Sequence, residues 1–528
     1  MIKDSPRHSS IVVFCLMLLW LAMTSWARPL MLPDEGRYVG VALEMLRSGD
    51  WLTPTLDGLP FFHKPPLFYW ITAASLSLFG LSEWAARWAS VLGACVAAFA
   101  LYRYLVHYAG HRLAQMSCLI LLSQPLFFAG AQFANLDMLV AGCISATILL
   151  AGAAVQNIQR QNPYKAQLAL AYLFAALGVL AKGLIGIVIP GMVIVFWLLL
   201  LKRFSLFWRL AWWPGLVLFL LVGAPWFVAM HDRYPAFLDY FFVVQHFKRF
   251  TTSGFNNVQP MWFYPVILAV LALPWTMWIF PIFKRSYWYR EPFAPTRLLM
   301  WVWLSVVVIF FSLPHSKLIG YILPAAPALS FLLADCALQL RNHSKAAQKW
   351  WFASTITAIL MCWLMVVAFT VLPGKDTRSL ASVMKAQRAP SEPVIFFDEY
   401  YYDLAFYANL NRLPWVVENW GDPSFLERDN WRKEVLDAAQ FNPSQARLNM
   451  LKPDAVMAKL CEEPVSWGLI PQTHIGRYPF LEKAQVVAKD TKTLLLKFDR
   501  SDQNLTAMLN CPEKPIDGSP NTSEQPPQ

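Results

Sequence analysis

About eleven long apolar stretches, each near the ~20 residues that a helix needs to cross a bilayer, leave this chain few ways to fold. They centre on residues 11–27, 84–108, 113–132, 136–155, 166–181, 183–201, 210–230, 260–283, 298–313, 318–338 and 350–372. A shorter stretch, 66–81, reads as re-entrant, interfacial or spanning. In hydrocarbon every backbone amide must find its partner within the protein, so such stretches fold as helices. Their length and lack of alternation exclude a transmembrane β-barrel. Composition points the same way. Of 528 residues 57% are hydrophobic and only 15% charged, with a mean hydropathy of +0.41, where a soluble domain carries about 25% charged residues. A single core stops growing near ~250–300 residues, so the apolar excess faces lipid. A cytosolic enzyme, a disordered chain and a small disulfide scaffold are excluded.

The net charge of +11 is unevenly spread: 26 Lys and Arg stand against 12 Asp and Glu up to residue 372, and 18 against 21 beyond it. Nothing in this distribution reads as a nucleic-acid face. Lys3 and Arg7 precede the first stretch, whose apolar run is long for a signal core. It reads as an uncleaved first helix with the N-terminus in the cytoplasm. Eleven spans then put Arg103, Arg112, Arg160, Lys165, Lys202, Arg203, Lys284 and Arg285 on the cytoplasmic side, while the opposite loops mix signs, a positive-inside pattern. On that topology residues 1–372 form the transmembrane domain and the part beyond lies outside, in a periplasm or its equivalent. Residues 28–66 are the first periplasmic loop, 373–512 a periplasmic domain, and 513–528 a disordered tail.

Within the C-terminal part, Val394–Phe397, Pro414–Val417, Ala455–Ala458, Val486–Ala488 and Leu494–Phe498 read as short strands. Tyr400–Asn409 and Pro423–Gln440 read as helical, the second with Asp422 as its N-cap. A small α/β unit is expected. Six cysteines lie in apolar segments; Cys461 and Cys511 lie in the polar part and could pair outside the cytoplasm.

The first external loop carries the most chemistry. It runs from Leu32-Pro33-Asp34-Glu35-Gly36-Arg37-Tyr38 to Phe62-His63-Lys64-Pro65-Pro66. Tyr38, Val41, Ala42, Met45 and Leu46 form one stripe at helical spacing, which predicts a short helix on the membrane surface with Asp34 as its cap. Asp137, Lys182 and Lys317 interrupt apolar surroundings, and an ionised side chain in a span costs about 2.5–3.5 kcal/mol even on lenient scales. Each alone also reads as a cap or as a side chain reaching water from a helix end. Together, the topology puts Asp34, Glu35, Arg37, Lys64, Asp137, Lys182, His246, Arg249 and Lys317 at the external ends of spans. Carboxylates and cations beside an apolar wall suit a substrate with an anionic head and a greasy tail, because Arg and Lys give charge-assisted bonds to phosphate.

The run Pro33-Asp34-Glu35-x-Arg37-Tyr38 through Ser48-Gly49-Asp50-Trp51 to Lys64-Pro65 resembles the GT-C membrane glycosyltransferases, and within them glycosyltransferase family 39 in the broad sense. That group includes aminoarabinose (lipid A) transferases and, more distantly, protein O-mannosyltransferases. The similarity extends through Asp137, Lys182-Gly183, Gln245-His246-x-x-Arg249-Phe250 and Ser316-Lys317-x-x-x-Tyr321-Ile322-Leu323-Pro324. It implies an α-helical polytopic protein of GT-C type, with about 11–13 transmembrane helices and a small C-terminal α/β extracytoplasmic domain. It also implies transfer of a sugar from a polyprenyl-phosphate donor to a lipid or glycan acceptor on the outer face.

On that resemblance Asp34 is the principal catalytic carboxylate, paired with Glu35, and Asp137 is a second acid of the cavity. Arg37, Lys64, Lys182, Lys317, Tyr321 and Arg249 are the candidates to hold the donor phosphate. Relatives have Glu just before the Lys-Pro pair, and that Glu with a later His can bind a divalent metal. Here the positions are His63 and His246, so His63 reads as a metal ligand, a phosphate donor or a satisfied interfacial histidine. Two other functions fit the sequence less well. A protein O-mannosyltransferase would need loop-domain signatures that the tail lacks. A flippase for lipid-linked sugars would need ionisable groups stepping across the bilayer.

Overall fold

The computed structural model describes residues 6–248, 257–288, 294–371, 376–509 and 511. Among them, seven helices are long and apolar enough to cross a membrane, or nine spans if two bent pairs are each counted as one. The bent pairs are His111–Leu122 with Pro125–Ala131, turned by 68°, and Phe263–Leu271 with Trp275–Phe283, turned by 96°. Pro125 and Pro274 stand at the two breaks, where a missing N–H interrupts the helical ladder. Three shorter apolar helices, Ser10–Ala22, Leu67–Phe79 and Ile185–Leu200, complete the set. Every apolar stretch read in the sequence, 66–81 included, has its helix here.

The helix Leu136–Gln159 is the most enclosed of the spans, with 94% of its apolar window buried, against 11% for Lys345–Val371, which faces outward along its length. Lipid offers no hydrophobic drive between helices, so close packing rests on small residues. A Cβ built on Gly142 would lie 2.3 Å from the backbone oxygen of Gly93, so Leu136–Gln159 and Trp88–Tyr108 touch backbone to backbone where only glycine fits.

The chain divides into two compact units. The first is Met1–Arg378 together with two segments that return to it, Tyr401–Tyr407 and Pro423–Pro443. It includes a small antiparallel hairpin, β1 (Thr55–Leu56) and β2 (Leu59–Pro60). The second comprises Ser379–Tyr400, Ala408–Asp422 and Ser444–Gln528. Its sheet contains β3 (Val394–Phe397), β4 (Trp415–Val417), β5 (Met450–Leu451), β6 (Val465–Pro471), β7 (Gln485–Lys489) and β8 (Thr493–Asp499) in the order β5-β4-β3-β6-β8-β7. The first four strands run parallel and the last two pair antiparallel. Ile395, opposite Trp415 and Gly468, is fully buried with Phe397, Val417, Ile470 and Leu496 in the core of this unit.

Three local expectations are corrected here. Ala455–Ala458 is not a strand but lies within the helix Pro453–Glu462. Pro453 opens that helix, and Val456, Leu460 and Cys461 bury one helical face. The strand missed in its place is β6. Tyr400–Asn409 contracts to the single turn Leu404–Tyr407. Pro423–Gln440 splits into a 3₁₀ turn, Pro423–Leu426, and a helix, Trp431–Ala439, capped not by Asp422 but by Asn430, whose Oδ1 accepts from the Lys433 N–H at 3.1 Å. The expected disordered tail, 513–528, lies outside the described residues.

Cys461 and Cys511 form a disulfide, with Cα atoms 5.3 Å apart and a sequence separation of 50. In the chain-entropy account a closed loop of that size stabilises by about 4 kcal/mol. Replacing both with Ser is expected to lower the unfolding midpoint of the C-terminal unit by a matching amount, with the native sheet retained. Thermal melts with and without reductant check it: reductant should shift wild type and leave the double variant unmoved.

Candidate functional site

The loop helix spans Asp34–Ser48, and Asp34 is its first residue rather than its cap; Pro33 occupies the cap position and makes no side-chain cap bond. The helix buries its apolar stripe within the protein. Tyr38, Val39, Gly40, Val41, Ala42, Leu43 and Met45 are all buried, so it is enclosed on most of its circumference. Its amphipathic pattern arises because Asp34, Arg37, Glu44 and Arg47 find protein partners. Glu44 turns back to β1–β2 and accepts from the N–H groups of Asp57 at 2.6 Å and Gly58 at 3.0 Å. That bond fixes the hairpin leading to His63 and Lys64. Burial pushes the Glu44 carboxyl above its ordinary range, and the two N–H donors oppose it.

Asp34 and its neighbour Glu35 occupy opposite environments. Glu35 is fully buried. Arg87 reaches it through Nε at 2.9 Å and Nη2 at 3.1 Å, Arg28 pairs with it, and the N–H groups of Met31 at 2.9 Å and Ala134 at 2.8 Å complete the shell. Burial works against this carboxylate, yet the two guanidinium groups prevail and hold it down at about 2. Arg87 also donates to the carbonyls of Ser25, Arg28 and Pro29, and Arg28 to that of Gln132. The node ties the loop start, the head of Trp88–Tyr108 and the 132–135 turn together. Asn135 in that turn caps Leu136–Gln159 by accepting from the Asp137 N–H at 3.0 Å.

The Asp34 side chain is 38% exposed, with Oδ1 accepting from Arg37 Nη2 at 2.6 Å. Arg37 in turn pairs through Nη1 with Glu434, and its guanidinium lies 5.2 Å from the Tyr38 ring and 5.9 Å from the Tyr402 ring. Tyr402 Oη donates to the other Glu434 oxygen at 2.9 Å. Burial lowers the Arg37 pKa, but Glu434 foremost, with Asp34, outweighs it and drives the value well above the ordinary one.

Asp137 and Lys182 pair at the start of one helix and the end of another. The Lys182 ammonium lies 4.1 Å from the Tyr321 ring centroid, a cation–π contact. Gly320 is packed so closely that a Cβ there would meet Asp137 Oδ2 at 2.3 Å, which explains the glycine. Tyr38 joins the two groups. Its phenol is pushed up by burial, pulled back by Arg37, and pushed up further by Asp34, Asp137 and Tyr321. Asp34, Arg37, Asp137 and Tyr321 thus each act electrostatically on one phenol.

His63 is buried, its ring stacked on Phe61 at 4.4 Å and its Nε2 2.9 Å from Tyr240 Oη. Tyr240 donates to Asp437 at 3.3 Å and accepts from Gln245 at 3.0 Å, while Lys433 reaches both Asp437 oxygens at 3.1 Å. Nε2 is thus committed to a phenol, and among the described residues no three His, Cys, Asp or Glu side chains gather as a metal would require. Nothing is described of the His246 side chain, and Arg249 lies outside the described residues. Lys64 is half-buried directly after His63. Lys317 is not brought to this group by any contact described: its ammonium donates to the carbonyls of Gln259 at 2.8 Å and Pro314 at 2.5 Å. An aromatic wall of Phe62, Trp226, Phe227, Phe237 and Phe241 packs beside the His63–Tyr240 group.

Glu434, Asp437 and Tyr402 were not read from the sequence, and neither were Arg28 and Arg87. The one signal for the first two was two acids three apart on an otherwise apolar helical face.

The polytopic helical bundle with an Asp-Glu pair opening its first large loop has the fold of the GT-C membrane glycosyltransferases. Residues 63–228 match the dolichyl-phosphate-mannose-protein mannosyltransferase family. The chain is homologous to undecaprenyl phosphate-alpha-4-amino-4-deoxy-L-arabinose arabinosyl transferases. It is 31% identical to that of Aeromonas salmonicida over 323 residues, 60% of this chain and 58% of the relative. To that of Aeromonas hydrophila it is 30% identical over 369 residues, 68% and 66% of the two. The matched stretches thus span less than two thirds of these relatives. In structure the chain is similar to ArnT from Cupriavidus metallidurans bound to undecaprenyl phosphate, with a TM-score of 0.77 at 24% identity, covering 93% of this chain and 98% of that one. Similarity to the archaeal oligosaccharyltransferase AglB from Archaeoglobus fulgidus gives a TM-score of 0.54 at 14% identity, over 90% and 70%.

Proposed function

We propose that this chain is an integral-membrane glycosyltransferase. It moves a sugar, of the 4-amino-4-deoxy-L-arabinose type, from undecaprenyl phosphate to lipid A or another envelope lipid or glycan on the periplasmic face of the inner membrane. The observation that carries this reading is the pairing of acids with cations at two helix ends: Asp34 with Arg37 at the head of the loop helix, and Asp137 with Lys182, whose ammonium also lies on the Tyr321 ring. Homology to the arabinosyl transferases names the donor class. A cytoplasmic N-terminus and a periplasmic C-terminal part, residues 373–512, are supported by the excess of Lys and Arg in one set of loops and by the Cys461–Cys511 bond, which suits an oxidising compartment.

The reaction is a single displacement at the anomeric carbon, which inverts it. The acceptor oxygen forms the new bond to that carbon as the bond to the phosphate oxygen breaks, and the leaving electron pair stays on undecaprenyl phosphate. With a hydroxyl acceptor, Asp34 takes the proton; it is the more exposed of the Asp-Glu pair and is held by Arg37. With a phosphate acceptor, already ionised, Asp34 orients and balances charge instead. Arg37, Lys64, Lys182 and Arg249 stabilise the growing phosphate charge, while Asp137 and Tyr321 hold Lys182 in place. Glu35 and Lys317 are given positioning roles, Glu35 through Arg28 and Arg87 and Lys317 through the Gln259 and Pro314 carbonyls. No step passes through a metal.

The test is purified protein supplied with undecaprenyl phosphate-linked 4-amino-4-deoxy-L-arabinose and lipid A. The expected result is bare undecaprenyl phosphate and glycosylated acceptor in equal amounts, read by mass spectrometry. Donor that crosses a vesicle intact and is never consumed would mark a flippase and overturn the proposal.

A further inference from the structure

We infer that Glu434 is the carboxylate which the donor phosphate displaces from Arg37, so that this one side chain gates the donor site by anion exchange. This rests on the glycosyltransferase reading above and adds to it a residue from far along the chain. Arg37 is the cation nearest the proposed base, yet its charge is already spent. Nη2 serves Asp34 and Nη1 serves Glu434, and two tyrosine rings flank the guanidinium. The group of Asp34, Arg37 and Glu434 carries a net charge of about −1 with both acids ionised. A phosphate approaching it meets repulsion, not the cation it needs. Arg37 Nε is moreover buried with no hydrogen-bond partner, so two carboxylates do not exhaust what this guanidinium can donate.

Of the two carboxylates, Glu434 is the one built to leave. Asp34 is three residues from Arg37 on the same helix and cannot withdraw without it. Glu434 rides on a separate nine-residue helix, Trp431–Ala439. Its second oxygen already accepts from Tyr402 Oη at 2.9 Å, so a carboxylate released by Arg37 keeps a partner. On the same helix Asp437 accepts from Tyr240 Oη at 3.3 Å, a contact that does not involve Arg37 and would anchor the helix while Glu434 turns aside. Phosphate and carboxylate compete for one guanidinium edge, and the bidentate geometry Arg offers suits either.

The experiment measures binding of undecaprenyl phosphate, without sugar, to the purified full chain. Glu434→Gln removes the competing charge while keeping the shape, and is expected to lower the Kd about tenfold and the donor KM alongside it. Glu434→Asp keeps the charge but draws it back by one methylene, and is expected to tighten binding less; it serves should the Gln variant fold poorly. In an Arg37→Ala background Glu434→Gln is expected to change nothing. Binding that is unchanged or weaker in both Glu434 variants, with wild type binding and transferring normally, overturns the exchange alone and makes Glu434 a fixed support for Arg37. A wild type that binds no carrier overturns the glycosyltransferase reading and the exchange with it.

Discussion

Asp34→Asn is expected to lower transfer to a hydroxyl acceptor by about 10²–10⁴-fold, with thermal stability close to wild type and donor binding no weaker. General-base catalysis contributes in that range, equivalent to about 3–5 kcal/mol of barrier. The structure predicts that the fold survives. The Asp34 side chain is 38% exposed, and its described bond is to Arg37, which an amide oxygen can still accept. Exposed pairs of this kind contribute roughly 0–1 kcal/mol. The size of the loss also reports the acceptor: a phosphate needs no proton removed, so a loss of only about tenfold would point to a phosphate acceptor. Initial rates with radiolabelled donor, alongside melts of both proteins in the same detergent, separate rate from stability. Full activity in a natively folded Asn variant would remove Asp34 from the chemistry.

The parts of this protein that were legible in its sequence are those set by one strong local rule. A bilayer demands some twenty apolar residues per crossing, so each apolar stretch found its helix, and the two that bend do so at prolines visible in advance. Val394–Phe397 was readable as a strand because it is short, β-branched and aromatic, and buried on both faces of a parallel sheet. Ala455–Ala458 was misread because four apolar residues carry no period; the helix shows only when Leu460 and Cys461 are included.

What was not legible depends on distance in sequence. Glu434 meets Arg37 across 397 residues, and Arg87 meets Glu35 across 52. An ion pair of that kind leaves no periodicity in either segment. The Asp-Glu motif marked Asp34 as the principal carboxylate and Glu35 as its pair, and only the structure shows Asp34 exposed and Glu35 sealed. The loop helix shows the same: its charged face resembles one meant for water until Arg37 and Glu44 find protein partners.

Glu35→Gln is expected to do the opposite of Asp34→Asn, costing about 3–5 kcal/mol of stability and showing its effect on activity through loss of folded protein. An amide matches the shape of the carboxylate but leaves Arg87, fully buried, and Arg28, nearly so, without a countercharge. Removing one member of a buried ionic group is costly because the remaining charges stay desolvated. The sign with pH follows from the carboxyl itself, held at about 2 against an ordinary 4.5. A depressed folded-state value means that the stabilisation is complete above about pH 4.5 and is lost as pH falls toward 2. The gap in melting temperature between wild type and Glu35→Gln should therefore be widest at neutral pH and narrow below pH 4.5. A gap that stays constant to pH 3, or a variant as stable as wild type at pH 7, would deny Glu35 this role. The consequence reaches the chemistry because the node holds the 132–135 turn, and Asn135 in that turn caps the helix that carries Asp137. Surviving Glu35→Gln molecules should then show a weakened Asp137–Lys182 pair, seen as a raised donor KM beyond what lost protein explains.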